Sequence, residues 1–332
     1  MEKIKSIPNR PGVYIMKDSL GNIIYIGKSK SLNKRVRSYF QRNIDFNKIK
    51  QLVLNIHDIE TIITDTHLEA QILECSLIKK YKPIYNSQFK NDKKYIYLTV
   101  EENNRYNPLA ITLERESNFS FGPYRSKNSL MELVNLLKNL YPIRKDKDLY
   151  DFNYHPLPTK MDEGEFKENR KSLIEILSHE KAMEIFISLI NNKMEEASLQ
   201  LQFERASYYR DLLSHFNYLF NSNRGDVTKG KEILAGEKLD DGYKLFYIVD
   251  GNLIYKKKFN DIDEDNIKDF IVNVKRDKHL NDYIYNEKSK LDFKTIINRE
   301  LKTNPSIVVQ YLDENMDLSF LNDFLNQLET TK

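Results

Sequence analysis

The sequence has little cysteine, no tryptophan and no long apolar run. Cys75 is the only cysteine among 332 residues, which excludes an internal disulfide, a zinc–thiolate cluster and a four-cysteine iron–sulfur site. No apolar run approaches the roughly 18 residues that a membrane span needs. The N-terminal residues also lack the apolar stretch of a signal peptide. These absences predict a soluble cytoplasmic protein that does not enter a membrane.

Charge is distributed unevenly along the chain, although the net charge is only +3. The first hundred residues contain 18 Lys and Arg against 9 Asp and Glu, a charge of +9. The remainder contains 34 against 40, a charge of −6. A basic N-terminal region is typical of a domain that binds a polyanion such as nucleic acid, but surface lysines also cluster by chance.

Hydrophobic periodicity and turn residues predict an α+β protein. In the first segment, residues 12–16 and 23–27 form a β-hairpin, and residues 60–64 form a third, β-branched strand. Ser31 is a candidate cap for a helix that carries basic residues. Thr66 and Glu69 form a capping box that opens a helix ending before Pro83. The apolar face of that helix is expected to consist of Leu68, Ile72, Leu73 and Leu77.

The sequence after residue 92 predicts four further segments that differ in secondary structure. Residues 93–147 have mixed helix and strand patterns, and residues 148–168 are polar, contain two prolines and a glycine, and predict a linker. Residues 169–222 are helical and include an antiparallel hairpin. Residues 223–332 alternate strands and helices, which predicts a small α/β domain without obvious chemistry. The predicted domains are therefore 1–92, 93–147, 169–222 and 223–332, with a linker at 148–168.

The residues best suited to chemistry lie in and after the N-terminal hairpin. No Walker loop, dinucleotide-type glycine fingerprint or His-Glu-x-x-His motif occurs, and the six histidines are scattered. The hairpin carries Tyr14 and Tyr25, and Lys28, Arg35 and Glu74 follow. These groups suit phosphodiester cleavage, because a phenol can take a proton from water, one carboxylate can hold a divalent metal and arginine can stabilise a phosphate. The spacing alone fits a packed aromatic hairpin with a surface arginine equally well.

Longer stretches of the sequence resemble a known family. Gly12-Val13-Tyr14 and, ten residues later, Tyr25-Ile26-Gly27 resemble the motif that names the GIY-YIG nucleases. Over about residues 8–220 the chain is similar to UvrC, the nuclease subunit of bacterial nucleotide excision repair. The similar segments include residues 11–14, 25–30, 32–36, 38–40, 69–74, 77–81, 83–86, 121–124, 141–144 and positions within 194–211. The last of these resembles the UVR helical hairpin that binds UvrB. The resemblance implies a small nuclease domain with a three-stranded antiparallel sheet and helices.

The resemblance also implies roles for individual residues. Tyr25 would be the general base or would position the water, Glu74 would be the only carboxylate that holds Mg²⁺ or Mn²⁺, and Arg35 would stabilise the transferred phosphate. The other catalytic positions are Lys28, Tyr14, Tyr39 and Asn86. The residues expected to contact the DNA backbone without reading its sequence are Lys30, Lys34, Arg37 and Arg42. The residues expected to bind UvrB are Phe203, Glu204, Ala206, Arg210 and Asp211.

The sequence departs from the UvrC pattern in two places. Arg144 is followed by Lys145-Asp146-Lys147, where UvrC proteins carry a cysteine cluster, so no iron–sulfur cluster is expected. UvrC also ends in an RNase H-like nuclease that makes the 5′ cut, and no catalytic Asp and His set follows the hairpin here. In content the chain is closer to the short homologue Cho, which makes only the 3′ cut, although Cho lacks a UVR hairpin.

These observations predict a metal-dependent endonuclease that makes a single 3′-side incision in damaged double-stranded DNA, delivered by UvrB with UvrA upstream. Two alternatives remain open. One is a UvrB-binding competitor or regulator of UvrC with little cleavage, and the other is a free-standing structure-specific DNA nuclease.

Overall fold

A computed structural model describes residues 4, 6–41, 47–90, 95–147, 149–224, 227–276, 287–313 and 319–331. The chain forms two compact units, and the first of them is built from both ends of the sequence. Residues 1–92 and 226–332 make up the first unit, and residues 93–225 make up the second. The N-terminal segment therefore packs with a segment that follows it by more than a hundred residues.

The N-terminal part of the first unit contains the predicted three-stranded antiparallel sheet, in the order β2-β1-β3. The strands are β1 (Gly12–Lys17), β2 (Ile23–Ser29) and β3 (Asp58–Ile63). The helices are α1 (Leu32–Ser38), α2 (Asn47–Asn55) and α3 (His67–Tyr81). The fold class expected from the sequence is thus confirmed for this region.

The ends of α3 are fixed by local sequence signals. The Thr66 hydroxyl accepts a hydrogen bond from the Glu69 N–H, and the Glu69 carboxylate accepts one from the Thr66 N–H, each at 3.2 Å. This is the predicted capping box. Lys82 adopts a left-handed conformation with φ of 48° and ends the helix before Pro83. Ser31 occupies the N-cap position of α1, but its side chain makes no capping bond, because its hydroxyl donates to Asn9 instead.

The second unit combines two small sheets with helices. The strands β4 (Ile96–Val100), β5 (Leu109–Thr112) and β6 (Ser120–Tyr124) form one sheet, and β7 (Ile143–Asp146) and β8 (Leu149–Phe152) form the other. The helices are α4 (Lys127–Leu137), α5 (Glu163–Ser178), α6 (Glu180–Leu199) and α7 (Phe203–Arg224). The last two form the predicted hairpin, whose turn includes Leu201 with φ of 59°.

The segment expected as a linker contains regular elements and four buried side chains, so that expectation is corrected for these parts of it. Residues 148–168 include β8 and the beginning of α5. Tyr150, Phe152, Met161 and Phe166 are buried in the core of the second unit. These apolar side chains are spaced among polar ones, and burying them outweighs the polar composition on which the linker prediction depended.

The C-terminal part of the first unit is a four-stranded antiparallel sheet in the order β11-β10-β9-β12. The strands are β9 (Glu232–Leu239), β10 (Gly242–Val249), β11 (Asn252–Phe259) and β12 (Ile307–Leu312). The helices are α8 (Glu264–Arg276), α9 (Glu287–Thr303) and α10 (Phe320–Thr330). None of the helices in the described ranges is long and apolar enough to cross a bilayer.

Alternating residues of β9 and β10 cover both faces of this sheet, as a strand requires. Leu234 and Leu245 pack against α8 and α10 on one face. Ile233 and Phe246 pack against α9 on the other face, and α3 from the N-terminal part packs there too.

Helix α3 is therefore buried between two sheets. Ala70 and Ile78 pack on β1 and β2, whereas Leu68 and Cys75 pack on β9 and β10. The single apolar face predicted from the sequence is in fact divided, because Leu73 and Leu77 belong to the first contact and Leu68 and Ile72 to the second. A helix that is apolar on several sides is expected to be enclosed by protein.

Candidate active site

A cavity of about 380 Å³ opens beside β2 in the N-terminal part of the first unit. Five of the seven predicted catalytic residues line it, namely Tyr25, Arg35, Tyr39, Glu74 and Asn86. They come from β2, α1, the end of α1, α3 and the segment after α3. The remaining wall consists of Ile49, Leu52, Ile78, Tyr85, Ser87, Gln88 and Phe89. Tyr14 and Lys28 are not part of the lining.

Three tyrosines form one packed cluster at the back of the cavity. The ring centroids of Tyr14, Tyr25 and Tyr39 are 5.8–6.2 Å apart. Tyr14 is buried, and its hydroxyl is 2.8 Å from the Tyr39 hydroxyl. Burial, followed by the charge of Tyr39, raises the pKa of Tyr25 far above its ordinary value, so this phenol keeps its proton near neutral pH.

The two glycines of the motif are required by close packing. A Cβ on Gly27 would lie 2.3 Å from the Tyr14 hydroxyl oxygen, and one on Gly12 would lie 2.3 Å from the backbone oxygen of Ile62 on β3. Gly27 therefore leaves the space that the Tyr14 ring occupies, and Gly12 allows β1 and β3 to approach. Sequence spacing indicated the pattern, and the packing supplies the reason for it.

Glu74 is the acidic group of the cavity and is held from β2. Its Oε1 accepts a hydrogen bond of 3.0 Å from the Lys28 N–H. Burial raises the pKa of Glu74 to about 7, whereas the Lys28 N–H and the charges of Lys28, Arg299 and Arg35 lower it. A carboxylate that has lost part of its hydration gains more from a cation than an exposed one does.

Arg35 is held by an aromatic neighbour while it remains exposed. Its guanidinium carbon lies 5.0 Å from the centroid of the Tyr39 ring, and its Nη2 donates to the Tyr39 hydroxyl at 3.3 Å. Guanidinium stacking of this kind leaves donors available for an anion. Arg35 and Glu74 thus line one cavity with opposite charges.

Asn86 and Lys28 have structural contacts that the sequence did not indicate. The Asn86 side chain accepts from the Ile26 N–H at 3.0 Å and donates to the Ile26 carbonyl at 2.8 Å, which fastens the segment after α3 to β2. The Lys28 ammonium lies 3.0 Å from Nε2 of His67. His67 is one of the six scattered histidines, and this contact places it next to Lys28.

The basic residues predicted to contact DNA lie on exposed surface where they are described. Lys30 follows β2, and Lys34 and Arg37 lie on α1. Arg42 lies outside the described residues. No ion pair links Lys30, Lys34 or Arg37 to a carboxylate of the described chain.

The residues predicted to bind a partner lie at the turn and along α7 of the helical hairpin. Phe203 is 65% exposed, and Glu204, Arg210 and Asp211 are exposed, whereas Ala206 is partly buried. Leu199 and Leu201, which the sequence did not single out, are 86% and 72% exposed beside Phe203. The turn of the hairpin therefore presents three large apolar side chains to solvent, which is typical of an interaction site.

The cavity suits a hydrated divalent cation better than a multi-ligand metal site. In the described part of the chain no three His, Cys, Asp or Glu side chains are grouped as a metal cluster would require. Glu74 alone supplies an anionic oxygen to the cavity. Mg²⁺ commonly binds through one or two carboxylates and retains several waters, so one carboxylate in an open cavity fits it.

A three-stranded sheet with this tyrosine, arginine and glutamate arrangement defines a GIY-YIG nuclease domain. Comparison with protein families agrees, since residues 10–87 match the UvrC-like GIY-YIG domain and residues 184–218 match the UvrB/UvrC motif. The chain belongs to the UvrC family of GIY-YIG proteins.

Similar proteins extend the match over most of the chain. UvrABC system protein C of Clostridium beijerinckii is 34% identical over 282 residues, which cover 77% of this chain and 45% of that protein. The Clostridioides difficile protein of the same name is 32% identical over 341 residues, covering 94% of this chain and 54% of that protein. The chain spans about half the length of the curated relatives it matches.

Among solved structures, the N-terminal GIY-YIG endonuclease domain of UvrC from Thermotoga maritima, bound to its catalytic divalent cation magnesium, is 45% identical. The match covers 26% of this chain and 93% of that domain, with a TM-score of 0.24.

Proposed function

We propose that the chain is a metal-dependent DNA endonuclease of nucleotide excision repair, which makes a single incision on the 3′ side of a lesion in DNA delivered by UvrB. The observation that carries the proposal is the common cavity of Glu74, Arg35 and Tyr25. It combines an anchor for a cation, a donor for a phosphate and a hydroxyl for the attacking water. These are the groups that phosphodiester hydrolysis needs.

Glu74 is the residue that would hold Mg²⁺ or Mn²⁺. When bound, such a cation supplies positive charge beside the scissile phosphate and makes a coordinated water more acidic. The Lys28 N–H keeps one Glu74 oxygen in place. No iron–sulfur cluster enters the proposal, because Cys75 is the only cysteine of the chain.

Tyr25 and Arg35 would act on the water and the phosphate. Because the raised pKa of Tyr25 keeps its phenol protonated, Tyr25 is better suited to orient the water than to ionise alone. Arg35 would stabilise the charge that develops on the phosphate, and the Tyr39 ring holds its guanidinium. Tyr14 and Asn86 support these groups by packing and by bonds to Tyr39 and β2.

Basic residues near the site would bind the DNA backbone. Lys30, Lys34 and Arg37 are exposed on the loop after β2 and on α1, and their charges suit phosphates of any sequence. Arg42 is proposed for the same role from the sequence alone.

The helical hairpin would bring the chain to UvrB. Its exposed Leu199, Leu201 and Phe203 offer an apolar contact, and Glu204, Arg210 and Asp211 offer charges around it. Interfaces of this composition combine an apolar centre with a polar rim.

Incision of a labelled duplex with one bulky lesion tests the proposal. The reactions contain Mg²⁺, with and without UvrA and UvrB, and we expect one cut 3′ of the lesion that requires UvrB. EDTA should abolish the cut, and added Mg²⁺ should restore it. Glu74→Gln and Arg35→Ala should each lower the rate by about 10²–10³-fold, the range seen when a group that stabilises the transition state is removed.

A matched control is Glu60→Gln on β3, which removes an exposed carboxylate outside the cavity and should leave the rate unchanged. Retained cutting by Glu74→Gln or Arg35→Ala would refute the site. Cutting without UvrB would identify a free-standing nuclease. UvrB binding without any cutting would identify a competitor of UvrC.

A further inference from the structure

The C-terminal part of the first unit contacts the helix that carries Glu74. Helix α3 packs against β9, β10 and α9 through Leu68 and Cys75. Polar bonds join the same elements, since the Lys79 ammonium lies 2.7 Å from the Asp292 carboxylate. Residues from α9 are therefore brought to the neighbourhood of the nuclease site, although they follow it by more than 200 residues in sequence.

The closest such contact is made at Gln71, one turn before Glu74 on α3. Nη2 of Arg299 donates to the Gln71 side-chain oxygen at 2.8 Å, and the Gln71 amide nitrogen donates to the carboxylate of Glu300. Gln71 and Glu300 are buried, so their bonds fix the place of α9 on α3. Arg299 is next to Glu300 in sequence but remains exposed.

The guanidinium of Arg299 has donors left for a ligand. Arginine carries five N–H donors, and the contact with Gln71 uses one nitrogen. In the described part of the chain no carboxylate forms an ion pair with Arg299. Lys294 on the same helix differs, because its ammonium is paired with Asp250 at 2.7 Å. An exposed arginine that is anchored but not neutralised suits a phosphate group.

Arg299 and Lys28 contact neighbouring turns of the same helix. The Lys28 ammonium lies 3.0 Å from Nε2 of His67, and His67 is one turn before Gln71, which Arg299 contacts at 2.8 Å. The electrostatics agree, because burial and the charges of Lys28, Lys30 and Arg299 lower the pKa of His67 to about 4, with Glu300 acting in the opposite direction. Lys28 and Lys30 come from the end of β2 and the loop after it, whereas Arg299 comes from α9.

We propose that Arg299 binds a backbone phosphate of the DNA beside the scissile site, together with Lys28 and Lys30, so that the C-terminal part of the unit completes the DNA-binding surface of the nuclease. The inference deepens the proposed function and rests on it. It assigns a role to a region in which the sequence showed no chemistry. The ligand is a phosphodiester of any base sequence, because a guanidinium at a backbone phosphate does not read bases.

Equilibrium binding of the full chain to a fluorescent duplex, measured at several salt concentrations, tests this role. Arg299→Ala should weaken binding by about threefold to tenfold and reduce the slope of log K against log salt by about 0.9, the value for one phosphate contact. Arg299→Lys should keep most of the slope, because it keeps the charge. Arg276→Ala on α8 is the matched control, since it removes an exposed arginine from a helix on the other face of the β9–β12 sheet, and it should leave the slope unchanged.

Incision kinetics on a duplex of the same sequence with one bulky lesion, measured with UvrA, UvrB and Mg²⁺, separate this role from a structural one. With Arg299→Ala we expect a higher KM and an unchanged kcat. An unchanged salt slope with a lower kcat would overturn the proposal and make Arg299 a support for Gln71. If the wild-type chain binds the duplex and Arg299→Ala binds it equally well, the inference fails while the proposed function stands. If the wild-type chain does not bind the duplex, the inference fails, and the UvrB-dependent incision still decides the proposed function.

Discussion

The buried ion pair between Lys79 on α3 and Asp292 on α9 predicts a large loss of stability when one partner is removed. The two side chains are 9% and 2% exposed, and their charged atoms are 2.7 Å apart. Lys17 and Glu60 form a pair of nearly the same length, 2.6 Å, but are 23% and 52% exposed. Because the charged atoms are almost equally far apart in the two pairs, a comparison of the pairs isolates the effect of burial on stability.

The expected magnitudes follow from the surroundings of each pair. At 2.7 Å and an effective dielectric constant of about 20, the attraction of Lys79 and Asp292 is about 6 kcal/mol before desolvation is subtracted. Asp292→Ala removes the carboxylate from the buried Lys79 ammonium, and breaking a buried pair in this way typically costs about 3–5 kcal/mol. Glu60→Ala breaks a pair that water screens, and such pairs contribute about 0–1 kcal/mol.

Thermal unfolding of the full chain, followed by circular dichroism, measures the difference. In a unit of this size Asp292→Ala should lower the midpoint by roughly 6–20 °C, whereas Glu60→Ala should lower it by less than about 4 °C. The double variant Lys79→Met with Asp292→Leu should recover most of the loss, because it removes both charges of the buried pair. Equal losses for Asp292→Ala and Glu60→Ala would refute the argument from burial.

Three further predictions concern other parts of the molecule. Leu201→Glu should abolish capture of UvrB in a pull-down. Leu157→Glu should not, although Leu157 is 76% exposed and Leu201 is 72% exposed. Equal capture by both variants would exclude the hairpin turn as the contact. Gly27→Ala should displace the Tyr14 ring, lower the stability by about 1–3 kcal/mol in unfolding experiments and reduce incision. Glu237→Gln should stabilise the chain at and above neutral pH, because burial, followed by the charge of Glu300, raises the pKa of Glu237 to about 7 from an ordinary value of 4.5. Its carboxylate must therefore be ionised at a cost in the folded state, so the gain should be absent below pH 4.5, grow up to about pH 7 and reach roughly 3 kcal/mol. A gain that does not depend on pH would contradict the assignment.

Local signals explain how much of the nuclease part could be predicted from sequence. The capping box of Thr66 and Glu69 and the stop at Pro83 each depend on residues a few positions apart, and the structure has α3 within one residue of its predicted end. The hairpin of β1 and β2 likewise follows from turn residues between two short strands. The lining of the cavity by Tyr25, Arg35 and Glu74 could be anticipated only through the family resemblance, because spacing alone allowed a packed hairpin.

Features that depend on distant parts of the chain could not be predicted. Leu68 and Ile72 looked like part of one apolar face with Leu73 and Leu77, but a second sheet from residues after 226 divides that face. Lys79 lies in the last turn of α3, and its partner is a buried aspartate 213 residues away. Nothing in the local sequence of either residue reports on such a partner.

Helix α3 packs against both the N-terminal and the C-terminal sheet of the first unit, and this packing bears on the position of Glu74. The carboxylate of Glu74 is bonded to β2 through Lys28, and one turn earlier Gln71 is bonded to Arg299 and Glu300 of α9. The helix is thus held on one side by the sheet that carries Tyr25 and on the other by the C-terminal sheet and α9. Because the position of a side chain depends on the residues that support it, the C-terminal part of this unit helps to fix the position of Glu74 in the candidate site, although none of its described residues lines the cavity.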